Sequence, residues 1–175
     1  MLNRGYIQIY TGNGKGKTTA SLGLAFRAAG AGLKSIIIQF MKGQKTSEVF
    51  STEYMQSFMT IEQYGLEEFI LPEKSDISPH KDEAHKALVR AQSALKNDEF
   101  DIIILDEIIT ALFFTLISLD DILLLMKNKQ DSKELILTGR QAPQEIIDRA
   151  DLVTEMKEIK HYYNLGVQSR KGIEN

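Results

Sequence analysis

The sequence has no cysteine. This excludes thiol nucleophiles, cysteine-based zinc sites, iron–sulfur clusters and a disulfide-stapled scaffold. It also lacks an excess of basic charge. Lys and Arg number 21 against 24 Asp and Glu, a net charge of −3, which is not the footprint of a dedicated nucleic-acid binder. Long apolar runs are missing as well. The most apolar stretch, 108–119, runs at once into Asp120 and Asp121 and falls short of the roughly 20 residues a membrane span needs. The opening MLNRGYIQIY has no apolar core of signal-peptide length, so the expected location is the cytoplasm. What is present is 175 residues, enough for one domain over 1–175. A chain of that length buries about 70% of its unfolded surface and folds without cross-links.

Short β-branched runs alternate with longer helical patterns. Strands are expected at 6–10, 35–40, 60–64, 101–106, 134–138 and 152–156. Helices are expected at 17–31, 79–97, 119–127 and 143–150. Ala84, Ala87, Leu88, Ala91 and Leu95 recur at helical spacing, Ser118 and Asp121 are placed as a capping box, and Pro143 suits the first position of a helix. The run SIIIQF at 35–40 is nearly all apolar, as in a parallel sheet covered on both faces. The alternation predicts an α/β fold: a mainly parallel sheet with helices on both faces, of phosphate-loop NTPase (RecA-like) architecture. Ligands of such folds sit beyond the carboxyl ends of the strands. That singles out the loops after Tyr10, Phe40, Leu105 and Leu137. The least regular stretch is 43–79, expected to be mobile or substrate-facing.

The sharpest signal is TGNGKGKTT at 11–19, between a strand and a helix. Gly16-Lys17-Thr18 matches the end of the phosphate-loop pattern, while Thr11 holds its first glycine position. Gly12 and Gly14 keep the loop free of side chains, so that backbone N–H groups form an anion nest. The following helix adds its positive end. The nucleotide-binding set read here is Gly12, Asn13, Gly14, Lys15, Gly16, Lys17, Thr18 and Thr19. Lys17 supplies a point charge to phosphate oxygens, and Thr18 offers a hydroxyl to Mg²⁺. The second element is IIILDE at 102–107, an apolar strand ending in the carboxylates that this fold class gives to the metal. Asp106 holds a metal-bound water or Thr18. Glu107 binds Mg²⁺ or orients a reactant. Arg140, in Thr138-Gly139-Arg140 after a strand, is placed either for phosphate contact or as a surface arginine. Together these elements indicate a nucleoside triphosphate with magnesium, at a local cationic site of Lys15, Lys17 and Arg140.

The ordered set GNGKGKTT, QFMKG at 39–43, ILDEI at 104–108, TGR at 138–140, ADLVTEM at 150–156, Lys160-His161 and KGIE at 171–174 resembles the corrinoid adenosyltransferase family of the phosphate-loop type. The resemblance runs from about Tyr6 to Glu174. It implies transfer of the 5′-deoxyadenosyl group of ATP to the Co(I) of a corrinoid, toward adenosylcobalamin, with release of triphosphate. It implies Lys17, Thr18 and Glu107 as catalytic residues and Thr18, Asp106 and Glu107 as the Mg²⁺ set. It adds Arg27 and Arg140 to the nucleotide site, and a homodimer. The corrinoid-facing candidates are Phe40, Met41, Gly65, Leu66 and Phe69, with Ile70 beside them as apolar wall. Without a thiol of its own, the chain is expected to receive electrons for Co(I) from a reductase or reduced flavoprotein. Members often read Gly-Phe-x-Trp in the corrinoid-facing segment; here Leu66 follows Gly65 and the chain has no Trp. Members often read DEINYAL; here Ile109 and Thr110 replace Asn-Tyr. Those departures motivate a second reading, an ATP-binding regulatory or carrier relative without corrinoid turnover. A generic phosphate-loop ATPase or kinase is a third.

Three features are weaker. His80 and His85 are five residues apart and do not share a helix face, so with Asp82 they read as a solvated helix start rather than a metal site. The run 108–119 with Phe113 and Phe114 reads as a core helix or a homodimer interface. Met41, Met55 and Met59 are core filler or soft contacts for a broad apolar ligand. The role of Lys160 and His161 does not follow from the residues.

Overall fold

The computed structural model describes residues 2–55, 57–68 and 76–174. A six-stranded sheet runs through the molecule: β1 (Ile7–Thr11), β2 (Ser35–Phe40), β3 (Met59–Tyr64), β4 (Ile102–Asp106), β5 (Glu134–Thr138) and β6 (Leu152–Glu155). Its order is β3-β2-β4-β5-β1-β6, and every pairing is parallel. β5 therefore lies between the phosphate-loop strand β1 and the acid-bearing strand β4. The helices are α1 (Lys17–Gly30), α2 (Ser47–Ser51), α3 (Ser78–Lys96), α4 (Ile108–Phe113), α5 (Leu119–Lys127) and α6 (Gln144–Ile147).

The core explains why β2, β4 and β5 are mostly apolar: all their residues are buried, and the polar ones stand at the strand ends or, like Gln39, beside one. One apolar layer joins Ile37, Ile104 and Ile136 to Ala25 and Ala28 of α1. The other joins Ile38, Ile103, Leu105 and Leu137 to the alanine stripe of α3 and to Ile122 and Leu125 of α5. Helices thus cover both faces, as continuous apolar strands require. The expected α/β architecture stands, with strand and helix bounds that shift by one or two residues at most sites.

Local chemistry accounts for the element ends. Ser118 caps α5: its Oγ accepts from Asp121 N–H at 3.2 Å, and Asp121 Oδ2 accepts from Ser118 N–H at 2.9 Å. Pro143 falls one residue before α6, whose helical turn is shorter than the expected 143–150. The run 108–119 breaks after α4, with Thr115 at φ 55. Ile108, Ile109, Ala111, Leu116 and Ile117 enter the core, whereas Phe113 is 56% exposed. The stretch expected to be irregular contains α2, a 3₁₀ turn at Thr52–Tyr54 and β3. His80 is buried and Ala84 of the same helix lies in the core. The start of α3 is therefore packed on that face rather than wholly solvated. Met59 is buried in the α1 layer and Met55 packs beside it, the core role.

Candidate active site

Three central strands end in left-handed backbone. Met41 follows β2 at φ 58, Glu107 follows β4 at φ 62, and Gly139 and Gln141 follow β5 at φ 145 and 55. Such conformations cost non-glycine residues about 1–3 kcal/mol each and collect where a fold must aim side chains. Here they turn the chain sharply at the sheet's carboxyl edge. The four loops singled out from the sequence meet at that edge around a cavity of about 590 Å³.

The phosphate loop forms one wall. Gly12 and Gly16 have φ 102 and 121. A Cβ on Gly12 would lie 2.4 Å from the backbone oxygen of Met156, and one on Gly14 would lie 2.7 Å from the same atom. Both positions therefore require glycine. Gly14 N–H donates to that Met156 oxygen at 2.7 Å, so the end of β6 supports the loop from beneath. Thr11, in place of a glycine, closes β1: its Oγ1 accepts from Ala142 N–H at 3.2 Å and ties the loops after β1 and β5 together. Lys17 is buried, and its Nζ donates to the oxygens of Gly12 at 2.8 Å and Gly14 at 2.9 Å. Burial lowers its pKa; the charge of Glu107 opposes the shift, Arg140 adds to it and Asp106 opposes it. α1 has no side-chain cap and no acidic residue in its first turn, so its leading N–H groups are left for an anion.

Behind the loop, Asp106 is fully buried. Its Oδ1 accepts from Thr18 Oγ1 at 2.9 Å and Thr138 Oγ1 at 2.7 Å, and its Oδ2 accepts from Gln39 Nε2 at 3.1 Å. The Gln39 amide also donates to Glu48 Oε1 at 3.1 Å and accepts from Gln63 Nε2 at 2.9 Å. Glu48 is paired with Lys42 at 3.5 Å. Burial raises the Glu48 pKa, but hydrogen bonds from Thr46 and Gln39 and the charge of Lys42 outweigh it, and the net shift is downward. Beside Asp106, Glu107 N–H donates to Thr138 Oγ1 at 2.9 Å. Thr110 Oγ1 donates to Glu107 Oε2 and accepts from Arg140 N–H at 3.1 Å.

The C-terminal tail closes the far side. Lys15 Nζ donates to the oxygen of Ile173 at 3.0 Å and lies 3.7 Å from Glu174. Glu174 also accepts from Tyr162 Oη and from Arg170, whose guanidinium lies over the Tyr162 ring. Those donors hold the Glu174 carboxyl down at about 2, first Arg170 and then Tyr162.

The structure thus brings Asn13 to Thr19, Glu107 and Arg140 together along the cavity, with Asp106 just behind. It does not bring Arg27 there. Arg27 is exposed in the last turn of α1, and its charge acts on Tyr10. Phe40 is fully buried in the core, so it presents no face to a ligand. Met41 packs partly against the same core. Gly65 backs onto Lys42: a Cβ there would lie 2.5 Å from Lys42 N. Leu66 adjoins Gly43 in the same way and is half-buried. Phe69 and Ile70 lie outside the described residues. Sequence reasoning did not assign Gln39, Lys42, Glu48, Thr110, Glu158 or the tail to the site. Lys42, Glu48, Glu158, His161 and Gly172 to Glu174 all line the cavity. For Gln39, Lys42, His161 and the tail the signal was the motif company of QFMKG, Lys160-His161 and KGIE, which carries no chemistry until the loops meet; Glu48, Thr110 and Glu158 stand in none of those motifs.

Comparison with known proteins shows the family. The sequence model of the family "ATP:corrinoid adenosyltransferase BtuR/CobO/CobP" matches residues 3–175. A corrinoid adenosyltransferase from Sinorhizobium sp. is 32% identical, covering 98% of this chain and 80% of its own length. Those from Escherichia coli K12 and Salmonella typhimurium LT2 are each 30% identical, covering 98% of this chain and 86% of their own.

Proposed function

The chain belongs to the ATP:corrinoid adenosyltransferase family, and on that premise we propose that its cavity binds ATP for attack by a corrinoid Co(I). The cobalt electron pair forms a bond to the 5′ carbon of ATP. The bond from that carbon to the α-phosphate oxygen breaks, and its electrons leave with triphosphate. Cobalt is thereby oxidised to Co(III) and no proton need be removed. One observation carries this reading: Lys15, Lys17, Lys42 and Arg140 line one cavity with the phosphate loop. That is machinery for a polyanionic leaving group.

The chain's own residues then have definite tasks. Lys17 turns from the Gly12 and Gly14 oxygens toward the phosphates. With the loop N–H groups it stabilises charge developing on the leaving oxygen. Preorganised donors of this kind act without a protein nucleophile, since Co(I) is the nucleophile and the protein supplies position. Arg140 contacts the triphosphate from the loop after β5. Thr18, Asp106 and Glu107 are the residues that would hold Mg²⁺, which adds positive charge at the phosphates. Their hard oxygens fit that ion, which takes only one or two carboxylates and completes its shell with phosphate and water. Met41 and Gly65 adjoin Lys42, and Leu66 adjoins Gly43, in the segment assigned to the corrinoid. Arg27 reaches a nucleotide only through a rearrangement or another copy. A homodimer, a reductase or reduced flavoprotein as electron source and a cytoplasmic location complete the proposal. With no cysteine the chain has no thiol redox centre of its own, which is why an outside electron source is included; no described helix is long and apolar enough to cross a membrane.

The test mixes ATP, Mg²⁺ and chemically reduced corrinoid with the protein. A cobalt–carbon product with stoichiometric triphosphate is expected. ATP binding without product would instead identify a regulatory relative, and orthophosphate or a phosphorylated acceptor an ATPase or kinase.

A further inference from the structure

We propose that Thr110 is a positioning residue that sets the direction of the Glu107 carboxylate and the seat of Arg140; the inference rests on the assignment of those two residues to the ATP site. Thr110 is the third residue of α4, and its Oγ1 makes two bonds at once. It donates to Glu107 Oε2 and accepts from Arg140 N–H. The first bond stays within the turn that leaves β4, and the second crosses to the turn that leaves β5. Glu107 needs such a restraint. Its backbone is left-handed at φ 62 with no cap bond from its own side chain, and its N–H is held by Thr138. Without a partner its carboxylate would be free to swing in the cavity. The β5 turn is fitted to the same spot: a Cβ on Gly139 would lie 2.6 Å from Thr110 N and 2.9 Å from Thr110 Oγ1. Glycine at 139 is what lets the turn come close enough for the Arg140 bond. One hydroxyl thus couples the acidic and basic sides of the cavity.

The experiment compares Thr110→Val, which removes both bonds at equal volume, with Thr110→Ser, which keeps them. Loss of a partner that orients a metal-ligating group typically costs 10–100-fold, so Thr110→Val should lower kcat by about tenfold, with melting temperature near wild type and Thr110→Ser near wild-type kcat. Residues acting as one unit are non-additive, so Thr110→Val should slow a Glu107→Ala protein much less than it slows the wild type. Wild-type kcat in Thr110→Val overturns the inference. So does a Thr110→Ser protein as slow as Thr110→Val, or a kcat loss matched by lost folded protein in thermal melting. Full multiplicativity with Glu107→Ala overturns it too. If Glu107→Ala and Arg140→Ala both bind ATP and turn over normally, the site assignment fails and the inference falls with it; impaired Glu107→Ala beside unimpaired Thr110→Val sinks the inference alone.

Discussion

Asp106 shows how tightly single residues are used. Its two oxygens accept from two hydroxyls and an amide, and the bonds from Thr138 and Gln39 are buried while that from Thr18 is part-buried at the cavity. Asp106→Asn keeps the shape but turns one acceptor into a donor that faces Gln39 Nε2 or the threonine hydroxyls. A buried polar mismatch costs about 1–3 kcal/mol. The variant should melt lower than wild type even without ATP, and an unchanged melting curve would mean the carboxylate is not the shared acceptor. Lys17 answers a different question. It spends the free state bound to Gly12 and Gly14 oxygens, so Lys17→Ala should affect catalysis more than folding. Removing one preorganised electrostatic contact costs about 3 kcal/mol, or 10²–10³ in rate. Single-turnover kinetics with reduced corrinoid would measure it, and wild-type turnover would place the triphosphate elsewhere.

At the scale of elements, the two helix starts differ for a physical reason. α5 satisfies its own first N–H groups with Ser118 and Asp121. α1 begins at Gly16 with no side chain to do so. Its orphan donors are the ones we propose for the phosphates. Within the tail after β6, Glu174 binds Arg170 and Tyr162, and its pairing with Lys15 links that folded tail to the glycine loop. A carboxyl whose folded pKa is depressed adds stability that is complete above its ordinary value and disappears as pH falls through the folded one. For Glu174 the window runs from 4.5 down to about 2. Protease cleavage within 162–174 should therefore increase as pH drops into that window in the wild-type protein. Glu174→Gln should be cleaved readily above it as well. Equal protection of both proteins at neutral pH would show that the carboxylate does not tether the tail.

For the molecule as a whole, the sheet's carboxyl edge is the common frame. β1, β2, β4 and β5 each deliver one wall, and the end of β6 supports the first. A ligand that touches all of them links the sheet's strands through one body. Binding at 100 times Kd stabilises a folded protein by about 2.7 kcal/mol. At about 2–4 °C per kcal/mol for a chain of this size, ATP with Mg²⁺ should raise the melting temperature by several degrees. Lys17→Ala should lose most of that shift. A wild-type protein whose melting ignores ATP would contradict the nucleotide site.

Much of this was legible in one dimension because it rests on local physics. Apolar runs of strand length, an alanine stripe at helical spacing, a capping pair and a glycine loop between strand and helix each declare themselves within a few residues. The order of the motifs also carried the family, so the reaction class was readable before any coordinate. What the chain could not announce are contacts whose partners lie far apart in sequence. Thr18 meets Asp106 across 88 positions, Glu107 meets Thr138 across 31, and Lys15 meets Ile173 across 158. The same distance effect removed Arg27 from the cavity and sank Phe40 into the core, although both stand in or near telling motifs. Residue type and spacing therefore determined the α/β fold, the phosphate loop and the acids of the site. Only the tertiary structure decided that the C-terminal tail joins the strand-end loops at one cavity and which side chains face it. Local propensity fixes where a strand ends, but it is the packing of the sheet between its helices that decides what the next strand's end will meet there.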